Sequence, residues 1–392
     1  MIYLDNNATT AMDPAVIDVI ADALRRGPAN ASSQHRIGRN ANSRLDDAVQ
    51  RIGKCLGSDL SIPGGPRVVL TSCGTEANNL ALSGLSKQPD GPLIVSEIEH
   101  ASVLGLAQQH RRLGREVYRV PVTAGGSVCC NALAEILQQT EGKTACVSIM
   151  SANNETGVLQ PITEIAELCR AAGARLHVDA TQSIGKVSVN AESLPVDAFT
   201  ITPHKFHGPA GVAALWVGPG MELKPILFGG EQQLLTRPGT EPVALVVGMA
   251  LALELAVEKQ SETCQRLVRL RDQFETTLRG EIAGLLIHGE SENRLPGTAC
   301  VSFPGVARQS MLMQLDLAGI ACSSGSACSS GSSPPSHVLT AMGCPDWAVK
   351  SAIRFGASRF STADDIAAAA ERICRVYKRL RSRENVENRG EN

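Results

Sequence analysis

Short β-prone runs alternate with helix-length segments through the first half of this chain, and that alternation limits the possible folds. Successive parallel strands need a crossover connection, which is usually a helix. The alternation therefore predicts a mostly parallel sheet with helices on both faces. The predicted strands are residues 68–71, 93–95, 117–122, 145–150 and 176–179, and the predicted helices are residues 101–113, 131–140 and 162–172.

The length of the chain indicates two domains. It has 392 residues, of which 43% are hydrophobic, so it can build more than one typical core. We predict a large α/β domain over residues 15–260 and a smaller α+β domain over residues 261–392, which residues 1–14 join. The charged residues 384–392 are predicted to be disordered.

Charge and cysteine content bear on partners and location. The net charge of −2 argues against a nucleic acid or an anionic membrane held by bulk electrostatics. No apolar run has the length of a membrane span, and the start of the chain lacks the basic and apolar regions of a secretory signal. The twelve cysteines are therefore expected to be reduced thiols in the cytoplasm. Because no C-x-x-C pair occurs, no metal site is predicted.

Lys205 stands in the segment T-P-H-K-F-H-G, residues 202–208, directly after a β-prone run. The carboxyl ends of strands are where α/β sheets hold their ligands. Most lysines are solvated surface charges, but Asp179 follows another β-prone run 26 residues earlier, with a helix-sized gap between them. An aspartate that faces a pyridinium nitrogen and a lysine that forms a Schiff base are the protein's part of pyridoxal 5′-phosphate (PLP) chemistry.

A further feature is a possible anion site at the start of a predicted helix. The segment S-C-G-T, residues 72–75, follows the strand at residues 68–71 and offers backbone N–H groups and hydroxyls to a phosphate. The same pattern is also that of an ordinary capping box. Its occurrence together with Asp179 and Lys205 favours the phosphate site.

Several motifs together resemble one family. H-V-D-A-T-Q-S, T-P-H-K-F-H-G-P and S-S-G-S-A-C-S-S follow one another in the chain, and the resemblance covers nearly its whole length. The chain resembles the class V aminotransferase family and, within it, the cysteine desulfurases of the NifS/IscS type. The resemblance implies the α/β fold type I of PLP-dependent transferases, with PLP bound as a Schiff base on Lys205.

The same resemblance implies roles for individual residues. Lys205, His100 and Cys328 are the expected catalytic residues, and Arg354 and Asn153 are the expected substrate contacts. The expected cofactor contacts are Gly74, Thr75, Asn154, Asp179, Gln182, Thr202, His204, Lys205 and Thr240.

The implied reaction removes sulfur from L-cysteine and leaves L-alanine. Lys205 removes the α-proton, His100 assists proton transfers, and the Cys328 thiolate accepts the sulfur as a persulfide. A sulfur-acceptor protein, expected to be an iron–sulfur scaffold, then takes the sulfur. The loop with Thr240 is expected to complete the site of a second subunit, so a homodimer is predicted.

Three positions depart from the family pattern: Ala31 replaces a proline, Cys73 replaces a glycine and Gly356 replaces a serine. Cysteine is poorly suited to a positive φ, so a backbone with positive φ at position 73 would be strained.

Two alternative functions stay open at this point. One is a different PLP reaction on the same fold, such as that of a selenocysteine lyase or an aminotransferase, although an aminotransferase would not need Cys328. The other is a non-enzymatic scaffold, against which the intact Lys205 and Asp179 argue. Small residues around Cys328 are expected to make its loop mobile, whereas Cys322, six residues earlier, follows an apolar run and is expected to be buried.

Overall fold

The structure of the protein is a computed structural model. It describes the backbone of residues 1–85, 91–140, 143–191, 195–325 and 334–390, and side chains as far as residue 382. The predicted persulfide residue, Cys328, with the predicted mobility of its loop, lies outside the described residues.

The described residues form helices and strands close to the predicted ones. The helices are α1 (Pro14–Arg25), α2 (Arg36–Cys55), α3 (Gly74–Gly84), α4 (Ala101–Arg112), α5 (Cys130–Gln139), α6 (Ile162–Ala171), α7 (Val243–Glu258), α8 (Gln260–Glu281), α9 (Arg308–Leu317), α10 (His337–Ala341), α11 (Asp346–Ser351) and α12 (Ala363–Gly390). The strands are β1 (Ile2–Tyr3), β2 (Arg67–Thr71), β3 (Leu93–Ser96), β4 (Val117–Val120), β5 (Cys146–Met150), β6 (Arg175–Asp179), β7 (Ala198–Ile201), β8 (Ala213–Val217), β9 (Leu286–Ile287), β10 (Thr298–Ser302), β11 (Ile320–Ala321) and β12 (Ala352–Gly356).

The large sheet has seven strands in the order β2-β8-β7-β6-β5-β3-β4. Strands β4, β3, β5, β6 and β7 run parallel to one another. Strand β8 is antiparallel to β7, and β2 is antiparallel to β8. The prediction of a mostly parallel central sheet is confirmed.

The register of the sheet aligns the carboxyl ends of three neighbouring strands. Met150 pairs with Asp179 between β5 and β6, and Asp179 pairs with Thr200 between β6 and β7. The segments that follow these strands therefore open at the same edge, where α/β sheets hold ligands. They bring Asn154, Asp179 and Lys205 to that edge.

Helices cover both faces of the large sheet. Strands β3, β5, β7 and β8 are buried over their whole length, as expected of strands with helices on two sides. Helix α7 is apolar around most of its surface because it packs against both α1 and α2. Even so, none of the described helices combines the length and apolar character that a membrane span requires.

Apart from the hydrophobic clusters on the large sheet, a separate cluster is built on β10, β12 and the helices α8, α9 and α12. Strand β1 pairs in parallel with β11 and brings Ile2 and Leu4 into this cluster. The separation of this cluster from the two on the large sheet supports the division of the chain into residues 15–260 and residues 261–392 with 1–14. The boundaries of these domains stay predictions.

The last helix runs into the tail that is predicted to be disordered. Disorder is predicted from Glu384 onward, but α12 continues to Gly390. No proline or glycine interrupts residues 363–389, so the chain has no residue that ends a helix at Glu384. The backbone of residues 384–390 is thus described as helix, residues 391–392 lie outside the described part, and the disorder of this tail stays a prediction.

Candidate active site

Lys205 lies directly after β7, in a single 3₁₀ turn formed by Pro203–Lys205. Its Nζ donates to the backbone carbonyls of Asn7, at 2.7 Å, and Ala8, at 2.6 Å, so the N-terminal loop covers the amine. Burial, and then the nearby Arg354 guanidinium, lower the pKa of Lys205 to about 8. At pH 7, about one in ten Lys205 side chains then carries a free amine. The free amine is the form that acts as a nucleophile or a base.

Asp179, the last residue of β6, is a buried carboxylate with a fixed orientation. Its Oδ2 accepts a hydrogen bond from Asn78 Nδ2 at 2.8 Å, and its Oδ1 accepts from the backbone N–H of Thr181 at 3.0 Å. Asn78 is on α3, and its Nδ2 also donates to Ser102 Oγ at the start of α4. Helix α3 and the segment after β6 therefore hold the carboxylate at the edge of the sheet.

His100 stands at the start of α4 and caps that helix. Its Nδ1 accepts a hydrogen bond from the backbone N–H of Ser102 at 3.2 Å. Because Nδ1 accepts, the neutral ring carries its proton on Nε2. Although part of the residue is exposed, burial of the rest lowers the pKa of His100 while Asp179 raises it and Lys205 lowers it. His100, Asp179 and Lys205 are thus close enough to interact electrostatically.

Helix α3 begins at Gly74 without a side chain to cap it. Cys73, in the capping position, makes no capping hydrogen bond, so the first backbone N–H groups, including that of Thr75, can bind an anion. The hydroxyls of Thr181 and Thr202 lie 3.1 Å apart, and a Cβ added to Gly74 would lie 2.7 Å from Thr202 Oγ1. Glycine at position 74 is therefore needed for this close approach.

The departure at Cys73 causes no strain. Its φ of −165° is extended backbone, which any residue adopts. The substitution of glycine by cysteine therefore leaves the start of α3 intact.

These residues fit PLP by the chemistry of their groups. The uncapped start of α3 suits the phosphate, the oriented Asp179 carboxylate suits the protonated ring nitrogen, and the Lys205 amine suits the aldehyde carbon. All three groups lie at the carboxyl edge of the large sheet or beside it.

Arg354, on β12, is buried with two of its three nitrogens engaged. Its Nη2 donates to Asp5 Oδ1 at 2.9 Å, and its Nη1 donates to the backbone carbonyl of Asn154 at 3.1 Å. Ser323 Oγ donates to the other Asp5 oxygen at 2.6 Å. The Arg354 Nε is buried and has no hydrogen-bond partner in the described part of the protein. A buried guanidinium donor without a partner suits a substrate carboxylate.

Two neighbouring asparagines after β5 have different surroundings. The side chain of Asn153 is fully buried: its Oδ1 accepts from the backbone N–H groups of Glu155 and Thr156, both at 2.9 Å, and its Nδ2 donates to the Ile98 carbonyl. The geometry therefore does not support the expected contact of Asn153 with the substrate. The side chain of Asn154 is partly exposed and hydrogen-bonds to no described residue, so it can reach a ligand.

A second lysine near the site has no counterpart in the sequence analysis. Lys186 Nζ donates to Gln182 Oε1 at 2.8 Å, and Gln182 Nε2 donates at 2.9 Å to the Asn7 carbonyl that Lys205 also contacts. Although Lys186 keeps part of its surface exposed, burial and then repulsion by Lys205 lower its pKa to about 7. The one sequence signal that could have placed Lys186 at the site is its position four residues after Gln182, in the segment that follows Asp179.

The expected cofactor contacts His204 and Thr240 lie at the margins of the site. His204 Nδ1 lies 3.1 Å from Thr9 Oγ1, and burial lowers the pKa of His204 to about 4, so the ring is neutral. Thr240 is exposed, in a loop that an ion pair between Arg237 and Glu76, at 2.7 Å, holds against the first turn of α3.

Eleven cysteines lie within the described part of the chain. All eleven are free thiols, and burial followed by the charge of Asp5 raises the pKa of Cys322 to about 12. Cys322 is therefore an inert thiol, as expected for a cysteine packed against a core. Within the described residues, no three His, Cys, Asp or Glu side chains form a cluster that could hold a metal ion.

Comparisons with known proteins agree with this geometry. A family model described as aminotransferase class-V matches residues 2–368. A cysteine desulfurase of Nostoc sp. (strain PCC 7120) is 38% identical over 97% of this chain and 94% of its own length, and the cysteine desulfurase NifS of Azotobacter vinelandii is 35% identical over 97% and 94%. The crystal structure of a NifS-like protein from Rickettsia africae superimposes with a TM-score of 0.88 at 34% identity, covering 96% of this chain and 99% of that one.

Proposed function

Because this chain belongs to the class-V aminotransferase family, we propose that it is a PLP-dependent cysteine desulfurase. Its substrate is L-cysteine, and its products are L-alanine and a persulfide on Cys328. The observation that carries the proposal is the partly buried Lys205 amine, whose pKa is lowered to about 8 at the edge of the sheet that also presents Asp179.

The residues of the site divide the binding of PLP among them. Lys205 would form the covalent link, Asp179 would hold the ring nitrogen, and Asn154 would donate to the ring oxygen. Gly74, Thr75, Thr202 and His204 would surround the phosphate, while Gln182 fixes the N-terminal loop that covers Lys205. When bound, PLP supplies an electron sink for the electron pair released at the substrate α-carbon.

Arg354 orients the substrate by its carboxylate. Its unpaired Nε and the forked geometry of a guanidinium suit a bidentate contact with a carboxylate. Lys205, as a free amine, then removes the α-proton, since its lowered pKa leaves a base at neutral pH. His100 carries a proton on Nε2 in its neutral form and can exchange it with the substrate thiol.

The sulfur leaves by attack of the Cys328 thiolate. An S–S bond forms between Cys328 and the substrate sulfur as the bond between Cβ and sulfur breaks. The electron pair of that bond stays with the carbon fragment, which takes up protons to become alanine. Cys322 is not a substitute nucleophile because its raised pKa keeps it protonated.

The persulfide is then passed to a sulfur-acceptor protein, which we propose to be an iron–sulfur scaffold in the cytoplasm. The cytoplasm is a reducing compartment, in which the twelve cysteines of the sequence would stay thiols.

We also propose a homodimer in which Thr240 reaches the cofactor phosphate of the partner. The loop that precedes Thr240 exposes large apolar side chains: Phe228 is 88% and Leu234 is 82% exposed. Residues 233–235 all have positive φ, a strained backbone for non-glycine residues. Exposed apolar side chains on a strained loop suit burial against a second copy of the chain.

Trapping of the cofactor tests the assignment of Lys205. Borohydride reduction of the purified yellow protein is expected to fix PLP on the peptide that contains Lys205. The Lys205→Ala variant is expected to lose alanine formation by about a hundredfold or more, whereas Lys224→Ala, a change to an exposed lysine, keeps it. A label on the peptide of Lys186, or wild-type turnover in Lys205→Ala, would refute the assignment.

A further inference from the structure

Glu155 is a buried carboxylate that the mechanism above does not use. It follows Asn154 in the loop after β5 and is only 2% exposed. Asn153 Oδ1 accepts its backbone N–H at 2.9 Å and so fixes the loop. Among the described residues no cation forms an ion pair with Glu155, although burial of a carboxylate without a cation is costly. The contacts that it does make therefore call for an explanation.

Two residues meet on one oxygen of this carboxylate. The Ser336 hydroxyl donates to Glu155 Oε2. The backbone of Gly325 packs on the same oxygen so closely that a Cβ added there would overlap the carboxylate and lie 2.7 Å from Glu155 Cγ. Gly325 and Ser336 stand on either side of the segment that contains Cys328.

Each of these two residues belongs to a segment that is fixed elsewhere as well. Two residues before Gly325, Ser323 exchanges backbone hydrogen bonds with Arg354, at 2.7 and 3.4 Å. Ser336 Oγ accepts from Leu339 N at 3.1 Å and so caps α10. Glu155 joins these two anchored segments to each other and to the loop of Asn154.

The two contacts of Glu155 lie where the described chain stops and starts again on either side of Cys328. Gly325 is the last described residue before Cys328 in the sequence, and Ser336 follows Cys328 by eight residues. Whatever fixes Gly325 and Ser336 therefore fixes the two points between which the Cys328 segment is connected.

We propose that Glu155 is a positioning residue that holds both ends of the Cys328 segment at the substrate site. The inference rests on the proposed function, because the role of Glu155 concerns the sulfur step. It predicts that Glu155 matters for attack by Cys328 and not for removal of the α-proton by Lys205, which needs none of the three residues in this junction.

Glu155→Ala separates the two steps. We expect PLP absorbance and exchange of the L-alanine α-proton with deuterium, followed by NMR, to stay within twofold of the wild type. Persulfide formation in a single turnover is expected to slow by about tenfold or more, the size expected for loss of one charge-assisted hydrogen bond. Glu155→Gln, which keeps an oxygen for the Ser336 hydroxyl, is expected to recover part of the rate.

A second variant tests the contact with Gly325. Gly325→Ala places a methyl group against the carboxylate and is expected to slow persulfide formation as well. Glu155→Ala removes the group that this methyl meets, so the double variant is expected to be no slower than Glu155→Ala alone, a non-additivity typical of residues in contact. Gly280→Ala is the control, since a Cβ there meets nothing within 4 Å.

Three outcomes would overturn the proposal: wild-type persulfide formation in Glu155→Ala, equal slowing of proton exchange and persulfide formation, or fully additive effects in the double variant. Failure of the proposed function is distinguishable, because the wild type itself would then form no persulfide. Amide hydrogen exchange of the peptide over residues 326–335, measured without PLP, gives an independent readout. Faster exchange in Glu155→Ala than in the wild type supports the anchoring, and unchanged exchange contradicts it.

Discussion

At the scale of single residues, the least ordinary group is Glu99, next to His100. Its side chain is completely buried, and burial raises its pKa to about 8. Its Oε1 accepts from Ser96 Oγ and from the backbone N–H of Met150, whereas its Oε2 is buried with no partner among the described residues. A protonated carboxyl group thus lies between the carboxyl ends of β3 and β5, next to His100 in the chain.

The protonation of Glu99 makes stability depend on pH. Between the unfolded pKa near 4.5 and the folded pKa of about 8, the folded state binds the extra proton. The stability that Glu99 contributes is therefore present below pH 4.5 and is lost as the pH rises through 8. Relative to Glu99→Gln, which stays neutral, the free energy of unfolding of the wild type is expected to fall by up to about 1.4 kcal/mol per pH unit in this window.

Urea unfolding of both proteins from pH 5 to pH 9, at equal PLP content, measures this difference. Effects of other titrating groups cancel in the comparison. Parallel curves for the wild type and Glu99→Gln would show that Glu99 is ionised in the folded protein and would contradict the prediction.

At the scale of elements, the contact of β12 with the N-terminal loop explains one departure from the family pattern. Gly356 ends β12, and its carbonyl accepts from the Asn6 backbone and side chain, at 3.1 and 2.8 Å. A Cβ at Gly356 would lie 2.6 Å from Asn7 Oδ1 and 2.9 Å from Asn7 N. Serine does not fit here unless the loop moves, and this loop also covers Lys205.

Gly356→Ser is therefore expected to lower the free energy of unfolding by about 1–3 kcal/mol, as overpacking does. Because the displaced loop carries the Asn7 carbonyl, binding of PLP at Lys205 is expected to weaken too. Thermal unfolding and a PLP titration check both effects, with Gly280→Ser as the control on an exposed helix. Unchanged stability and PLP affinity would show that the loop moves aside at no cost in free energy, and would contradict the prediction.

The sequence alone predicts much of the site, because strand ends and helix starts follow from local patterns. Asp179, Lys205 and Gly74 each stand where a short β-prone run ends or soon after it, and a parallel sheet brings such ends together. Contacts between distant segments leave no such trace. The Asn7 carbonyl that holds Lys205 comes from 198 residues away, and neither it nor the junction at Glu155 has a local signature. Asn153 is the reverse case: its motif is present in the sequence, but its side-chain oxygen accepts hydrogen bonds from within its own loop.

At the scale of the whole molecule, the proposed dimer accounts for apolar surface that one chain leaves exposed. Leu234→Asp is expected to place a charge in the interface, shift the protein toward a monomer and remove most desulfurase activity, since Thr240 would no longer reach the partner. Leu317→Asp is the control. Leu317 is the last residue of α9, far from Leu234 in the sequence, and it is also exposed, at 78%. Sedimentation velocity and activity are measured together. A wild-type protein that sediments as a fully active monomer would contradict the dimer.

The most direct test of the central claim is mass spectrometry of the PLP-loaded protein after a single turnover with L-cysteine. We predict one added sulfur on Cys328, assigned by fragmentation of its peptide, together with one alanine for each sulfur. Cys322→Ser is expected to give the same result, and Lys205→Ala is expected to give neither product. An added sulfur on Cys322, or alanine formed with no sulfur on any cysteine, would contradict the account.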